Sequence, residues 1–135
     1  MASFLAPLQR TPSGNHRLEN TRNGRVVADQ LWGAFDSSTR NKGLLGRDSM
    51  PEGSAMVIAP SNSIHTFFMR FPIDIAFVAK DGRIVSVRSA LPAWRIAFAW
   101  GAFAVVELPA GALARSETVA GDVLSIQTGP PSKPA

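Results

Sequence analysis

The sequence predicts a mainly β domain carrying one short helix, a small antiparallel barrel-like or sandwich fold. Three observations predict it. About six to eight short apolar runs rich in Val, Ile and Phe recur with turn residues every 8–12 positions. Lys80-Asp81-Gly82-Arg83 lies between two such runs and is the clearest hairpin signal in the chain. Only one stretch, after Asp36-Ser37-Ser38, has N-cap residues followed by inward-turned leucines.

The elements follow in order. Residues 1–22 are rich in Pro, Ser, Asn, Thr and Arg with no sustained hydrophobic period, and read as a flexible basic arm. Asn23-Gly24 is a turn, and RVVADQLWGAF reads as a strand or a pair of short strands. A short helix runs from Asp36 to about Arg47, with Gly46 as its C-cap glycine. SAMVIAP and IHTFFMRF are successive strands. IDIAFVAK and RIVSVR form the hairpin arms. Pro72 marks a strand end or bend. Residues 90–101, with Pro92, Trp94, Trp100 and Gly101, read as a long aromatic connection. AFAVVELPAG is a strand, ALARSE a helical turn, and VLSIQT the last strand before a disordered tail, 129–135. Residues 23–128 thus form a single domain.

Composition narrows the function. A chain of 135 residues suits one core, and 45% hydrophobic content is that of an ordinary globular protein. No run approaches the ~20 apolar residues that span a bilayer, and the N-terminus lacks a secretory pattern, so the expected site is the cytoplasm, with no membrane partner. The absence of cysteine excludes disulfides, thiolate metal sites and cysteine nucleophiles. His16 and His65 are far apart, no metal-binding spacing occurs, and no phosphate-binding loop or serine elbow is found. The expectation is no cofactor and no metal. A net charge of +4 invites a nucleic-acid reading, but it is concentrated at one end. In residues 1–25 four arginines face one glutamate; beyond, ten basic residues face nine acidic ones. A nucleic-acid partner is therefore not favoured.

The titratable residues inside apolar runs are the candidates for a site. His65, Arg70 and Asp74 interrupt IHTFFMRFPIDIAFV, and Glu107 shares a strand face with Phe103 and Val105. Buried carboxylates need donors, and Arg47, Arg70 and Arg95 are available. Two readings stay open. In one, the acids pair with arginines or cap backbone amides and are structural. In the other they converge with His65 on a pocket, where desolvation raises a carboxylate pKa. Trp94 and Arg95, in LPAWRIAFAW, suit a pocket, a plug in an open barrel end, or a homodimer interface over residues 90–101.

RNKGLLGRDSMPEGSAMV, IHTFFMRFPIDIAFVAKDGRIV, and AVVELPAG followed by GDVL, in that order, resemble the domain of unknown function 192 family. The family pattern falls on Arg40, Gly43, Leu44, Arg47, Met69, Pro72, Asp74, Asp81, Gly82, Glu107, Gly111, Gly121 and Asp122. The resemblance implies a compact, mostly β fold and brings no assigned activity. The leading functional expectation is a non-catalytic module that binds an anionic small molecule or peptide in a cleft near Arg47, Arg70, Trp94, Arg95 and Glu107. The alternatives are a metal-independent acid–base enzyme using Asp74, Glu107 and His65, and a nucleic-acid-associated regulator using the basic arm.

Overall fold

The computed structural model describes residues 3–129. Its centre is a five-stranded sheet of β3 (Gln30–Ala34), β4 (Ser54–Ile58), β9 (Ala104–Pro109), β6 (Ile73–Val78) and β7 (Ile84–Leu91), in that spatial order. β3 and β4 run parallel and the other pairs antiparallel. The three inner strands are buried along their whole length, which is why they read as unbroken apolar runs. A second sheet orders β10 (Leu124–Thr128), β1 (His16–Asn20) and β2 (Val26–Ala28). A two-stranded ribbon pairs β5 (Ser63–His65) with β8 (Ile96–Phe98). No sheet closes, so the architecture is sandwich-like and the barrel alternative falls.

Strand alternation divides the interior into two cores. Val57, Ala76, Val78, Val106 and Leu108 face the three-stranded sheet, meeting Leu18, Leu124 and Ile126. On the other face Met56, Ile58, Ile75, Phe77 and Val105 pack beneath Leu44, Met50, Ala97 and Ala99. That second face is roofed by α2 (Ser37–Lys42), the loop after it and the β5–β8 ribbon. Asp36 caps α2 by accepting a hydrogen bond from the Thr39 amide at 2.8 Å.

Five expectations need correction. Residues 3–22 are not a free arm: α1 (Ala6–Arg10) buries Leu8, Leu5 just before it is buried too, and β1 pairs in register with β10. The helix after Asp36 stops at Lys42, because Gly43 at φ 47° and ψ −124° turns the chain out of the helix. IHTFFMRF is not one strand; β5 ends at His65 and Phe68 takes φ 66°. The long 90–101 connection contains β8. The structure has three short helices rather than one, α3 (Ala112–Arg115) being the predicted ALARSE turn. The tail from residue 130 lies outside the described residues.

The β1–β2 turn is latched to the start of β10 by a buried polar cluster. Asp122 accepts hydrogen bonds from Arg22 Nε (2.6 Å) and Nη2 (3.1 Å), from Asn20 Nδ2 (2.8 Å) and from the Val119 amide (3.0 Å). The Arg22 guanidinium, with the Val119 amide and Asn20, holds this carboxyl well below the usual carboxylate range. A lowered folded-state pKa means stability that is present above the ordinary value of 3.8 and is lost as pH falls below it. Asp122→Ala is expected to cost about 2 kcal/mol by urea denaturation at neutral pH, the loss of charge-assisted bonds to a buried acceptor. It should also flatten the acid limb of the stability curve.

Candidate functional site

β9 carries an acid into the second core. Glu107 lies in register with Met56 of β4 and Ile75 of β6, and points to the same side as Val105. Above it, α2, the loop after α2 and the β5 segment fail to meet, leaving a cavity of about 400 Å³. That volume is within the range of small-molecule sites. Arg40, Lys42, Leu45, Ser61, His65 and Met69 are among the residues around it, with Glu107 at the strand-side floor. Gly43 lies beside it: a Cβ built there would stand 3.9 Å from Glu107 Oε1, and its φ of 47° strains any other residue.

Glu107 is 5% exposed, yet among the described residues its carboxyl has neither a hydrogen bond nor an ion pair. Burial alone pushes its pKa up to about 7. The acid is therefore a proton donor or acceptor near neutrality, aimed into a cavity and unspent on the fold. Around the rim are cations. Arg40 donates from Nη1 to the Phe35 carbonyl at 2.7 Å and from Nη2 to Ser37 Oγ at 3.3 Å, which holds its guanidinium in place with donors to spare. Lys42 is exposed and has no ion-pair partner among the described residues. His65 is exposed, and its Nδ1 accepts from the Phe67 amide at 3.3 Å.

The remaining candidates do not join this site. Asp74 is 1% exposed and accepts from three backbone amides, Ala90 (2.8 Å), Leu113 (3.0 Å) and Gly111 (3.1 Å). It fastens β6 to the end of β7 and to the start of α3, which is the structural reading of that residue. Arg70 pairs with Asp48 at 2.7 Å on the surface, and Arg47 lies 4.3 Å over the Trp32 ring. Arg95 is exposed; its backbone amide donates to Thr66 Oγ1 at 2.9 Å. Trp94 stands out at 58% exposure on the β5–β8 side. Of the sequence candidates, Glu107 and His65 lie on this pocket, whereas Arg47, Arg70, Asp74, Trp94 and Arg95 do not. Arg40 and Lys42 were missed as site residues because a basic pair ending a short helix reads as a solvated face. The resemblance did carry a signal: Arg40, Gly43, Leu44, Met69 and Glu107 all fall on the pocket.

The fold and the pocket together define a mainly β, sandwich-like domain with an acid-floored cavity on one face of its central sheet. The chain belongs to the domain of unknown function 192 family, described as Uncharacterized ACR, whose profile matches residues 18–126. Among solved structures it is similar to a "putative transcription regulator" from Sinorhizobium meliloti 1021. The two share 26% identity at a TM-score of 0.72, over 83% of this chain and 92% of the other. A protein of unknown function from Novosphingobium aromaticivorans DSM 12444 matches at 23% identity and a TM-score of 0.71, over 82% and 83% of the two chains, and shows the shared fold. No curated protein matches. Among the described residues no helix is long and apolar enough to cross a membrane.

Proposed function

We propose that this protein is a cytoplasmic binding module whose ligand, a small molecule or a peptide end, occupies the Glu107 cavity. The observation that carries the reading is the unpartnered, nearly buried Glu107 carboxyl. Desolvation makes the charged form of this carboxyl costly, and a ligand supplying a hydrogen-bond donor offsets that cost on binding. Arg40 and Lys42 suit an anionic group at the mouth, so the ligand carries a carboxylate or phosphate at one end and a hydroxyl, amide or amine at the other. Thermal-shift screening of metabolites and short peptides tests this. A ligand at 100 times its Kd stabilises by about 2.7 kcal/mol. That response is expected to survive Arg70→Ala and to be lost in Glu107→Gln or Lys42→Ala. A ligand whose response ignores Glu107 and Lys42 overturns the assignment.

A second reading has its own support. A carboxyl with a pKa of about 7 is suited to general acid–base catalysis, and His65 shares the cavity. Asp74, bound to three amides, has no part in it. The nucleic-acid reading draws only on what the Sinorhizobium neighbour is called, and the charge pattern weighs against it. Three of the four N-terminal arginines are in ion pairs, Arg17 with Glu19, Arg22 with Asp122 and Arg25 with Glu117.

A further inference from the structure

The β5–β8 ribbon and the turns beside it display their large side chains outward. Along β8 and the two residues after it, Ala97 and Ala99 face the core at 6% and 7% exposure, while Ile96, Phe98 and Trp100 face solvent at 70%, 41% and 81%. Phe68, at 71%, and Trp94 extend this surface. Phe68 meets Trp94 edge to face at 4.8 Å, and Phe98 meets Trp100 at 4.9 Å.

This surface is preorganised at a cost. Phe68 and Trp94 are held in the left-handed region at φ 66° and 67°, where aromatic residues rarely sit. Thr66, 1% exposed, holds both turns. Its amide donates to the Arg95 carbonyl (2.8 Å), its hydroxyl to the Pro92 carbonyl (2.7 Å), and its own carbonyl accepts from the Trp94 amide (3.0 Å).

We propose that this aromatic face is the two-fold interface of a homodimer, independently of what the pocket binds. Area is the first argument. At about 150–250 Å² per large side chain, the exposed fractions of these four aromatics and Ile96 come to roughly 500–800 Å² of apolar surface. That is at or above the largest patch on a typical monomer, about 300–600 Å², and close to the ~800 Å² per partner of a stable complex. Charge is the second. The β8 strip is uncharged from Ile96 to Trp100, with Arg95 at one end. A two-fold axis through Phe98 runs the two strips antiparallel, sets Ile96 against the partner's Trp100 and keeps the two Arg95 side chains at opposite ends.

Sedimentation velocity on the full chain across a wide concentration range tests the proposal. The expected result is a dimer that Ile96→Lys and Trp100→Ser each weaken by roughly thirtyfold or more, the scale of an interface hot spot. Circular dichroism should be unchanged, since both side chains are exposed. Val119→Lys, at an exposed apolar residue outside the strip, should leave the dimer intact. A wild-type protein that stays monomeric at every concentration overturns the proposal, as does a dimer indifferent to Ile96→Lys and Trp100→Ser. A monomer that co-sediments with anionic vesicles through the same residues also overturns it, assigning the face to a lipid surface.

Discussion

Glu107→Gln is expected to stabilise the protein by about 3 kcal/mol above pH 7 and to leave its stability unchanged below pH 4.5. The folded-state pKa is near 7 against an ordinary value of 4.5, with burial as the cause. Between those values the folded state holds a proton that the unfolded chain has released, so stability falls as pH rises. Above 7 the penalty is complete, and 2.5 pKa units correspond to about 3 kcal/mol. Glutamine keeps the shape of the protonated acid without its charge, so the slope should vanish in the variant. Urea denaturation of both proteins across that pH range reads the effect. A residue that lowers stability where it stands is the pattern expected of a functional site. The same substitution should abolish ligand binding, which separates its role from packing.

Asp74→Ala should have the opposite effect and a larger one, a loss of about 3–5 kcal/mol. It removes one acceptor from the amides of Ala90, Gly111 and Leu113 together. Each orphaned buried donor costs about 1–3 kcal/mol, with the more exposed Ala90 amide recovering part of that from water. A domain's whole stability is about 5–15 kcal/mol, so the variant should unfold at a much lower urea concentration or fail to accumulate. Asp74→Asn, which retains one acceptor oxygen, should fall between. An alanine variant as stable as wild type would remove Asp74 from the framework.

Much of the fold was legible because single signals agreed. Asp81-Gly82 sits in the tight β6–β7 connection, with Gly82 at φ 95° and the Asp81 side chain accepting from the Arg83 amide. Ile73, Ile75 and Phe77 share one face of β6 while Asp74, Ala76 and Val78 share the other, as the period of two dictates. β1 was hidden because two of its three inward residues are polar: His16 and Asn20 are buried beside Leu18. Their partners, Thr128 and Asp122, lie over a hundred residues away. β8 was hidden by inversion, with alanines inward and aromatics outward. Thr66, which holds the aromatic turns, gives no sign in the sequence.

The candidate site was half legible for a related reason. An acid on an apolar strand face marked both Asp74 and Glu107, and only tertiary structure separates them. α3 brings amides to Asp74, whereas α2 and β5 leave Glu107 a cavity. Two of the candidate arginines were spent elsewhere, Arg70 on Asp48 and Arg47 on Trp32.

Glu107 is nearly buried, yet lies on a cavity open to a ligand. The most direct measurement is a carbon-detected NMR titration of the side-chain carboxyls in the ligand-free protein, with Glu107 assigned by comparison with Glu107→Gln. A midpoint near 7 is the predicted result. A midpoint at the ordinary value of 4.5 would mean that the carboxyl is hydrated or paired, and would contradict the claim that this pocket holds an acid in reserve for a ligand.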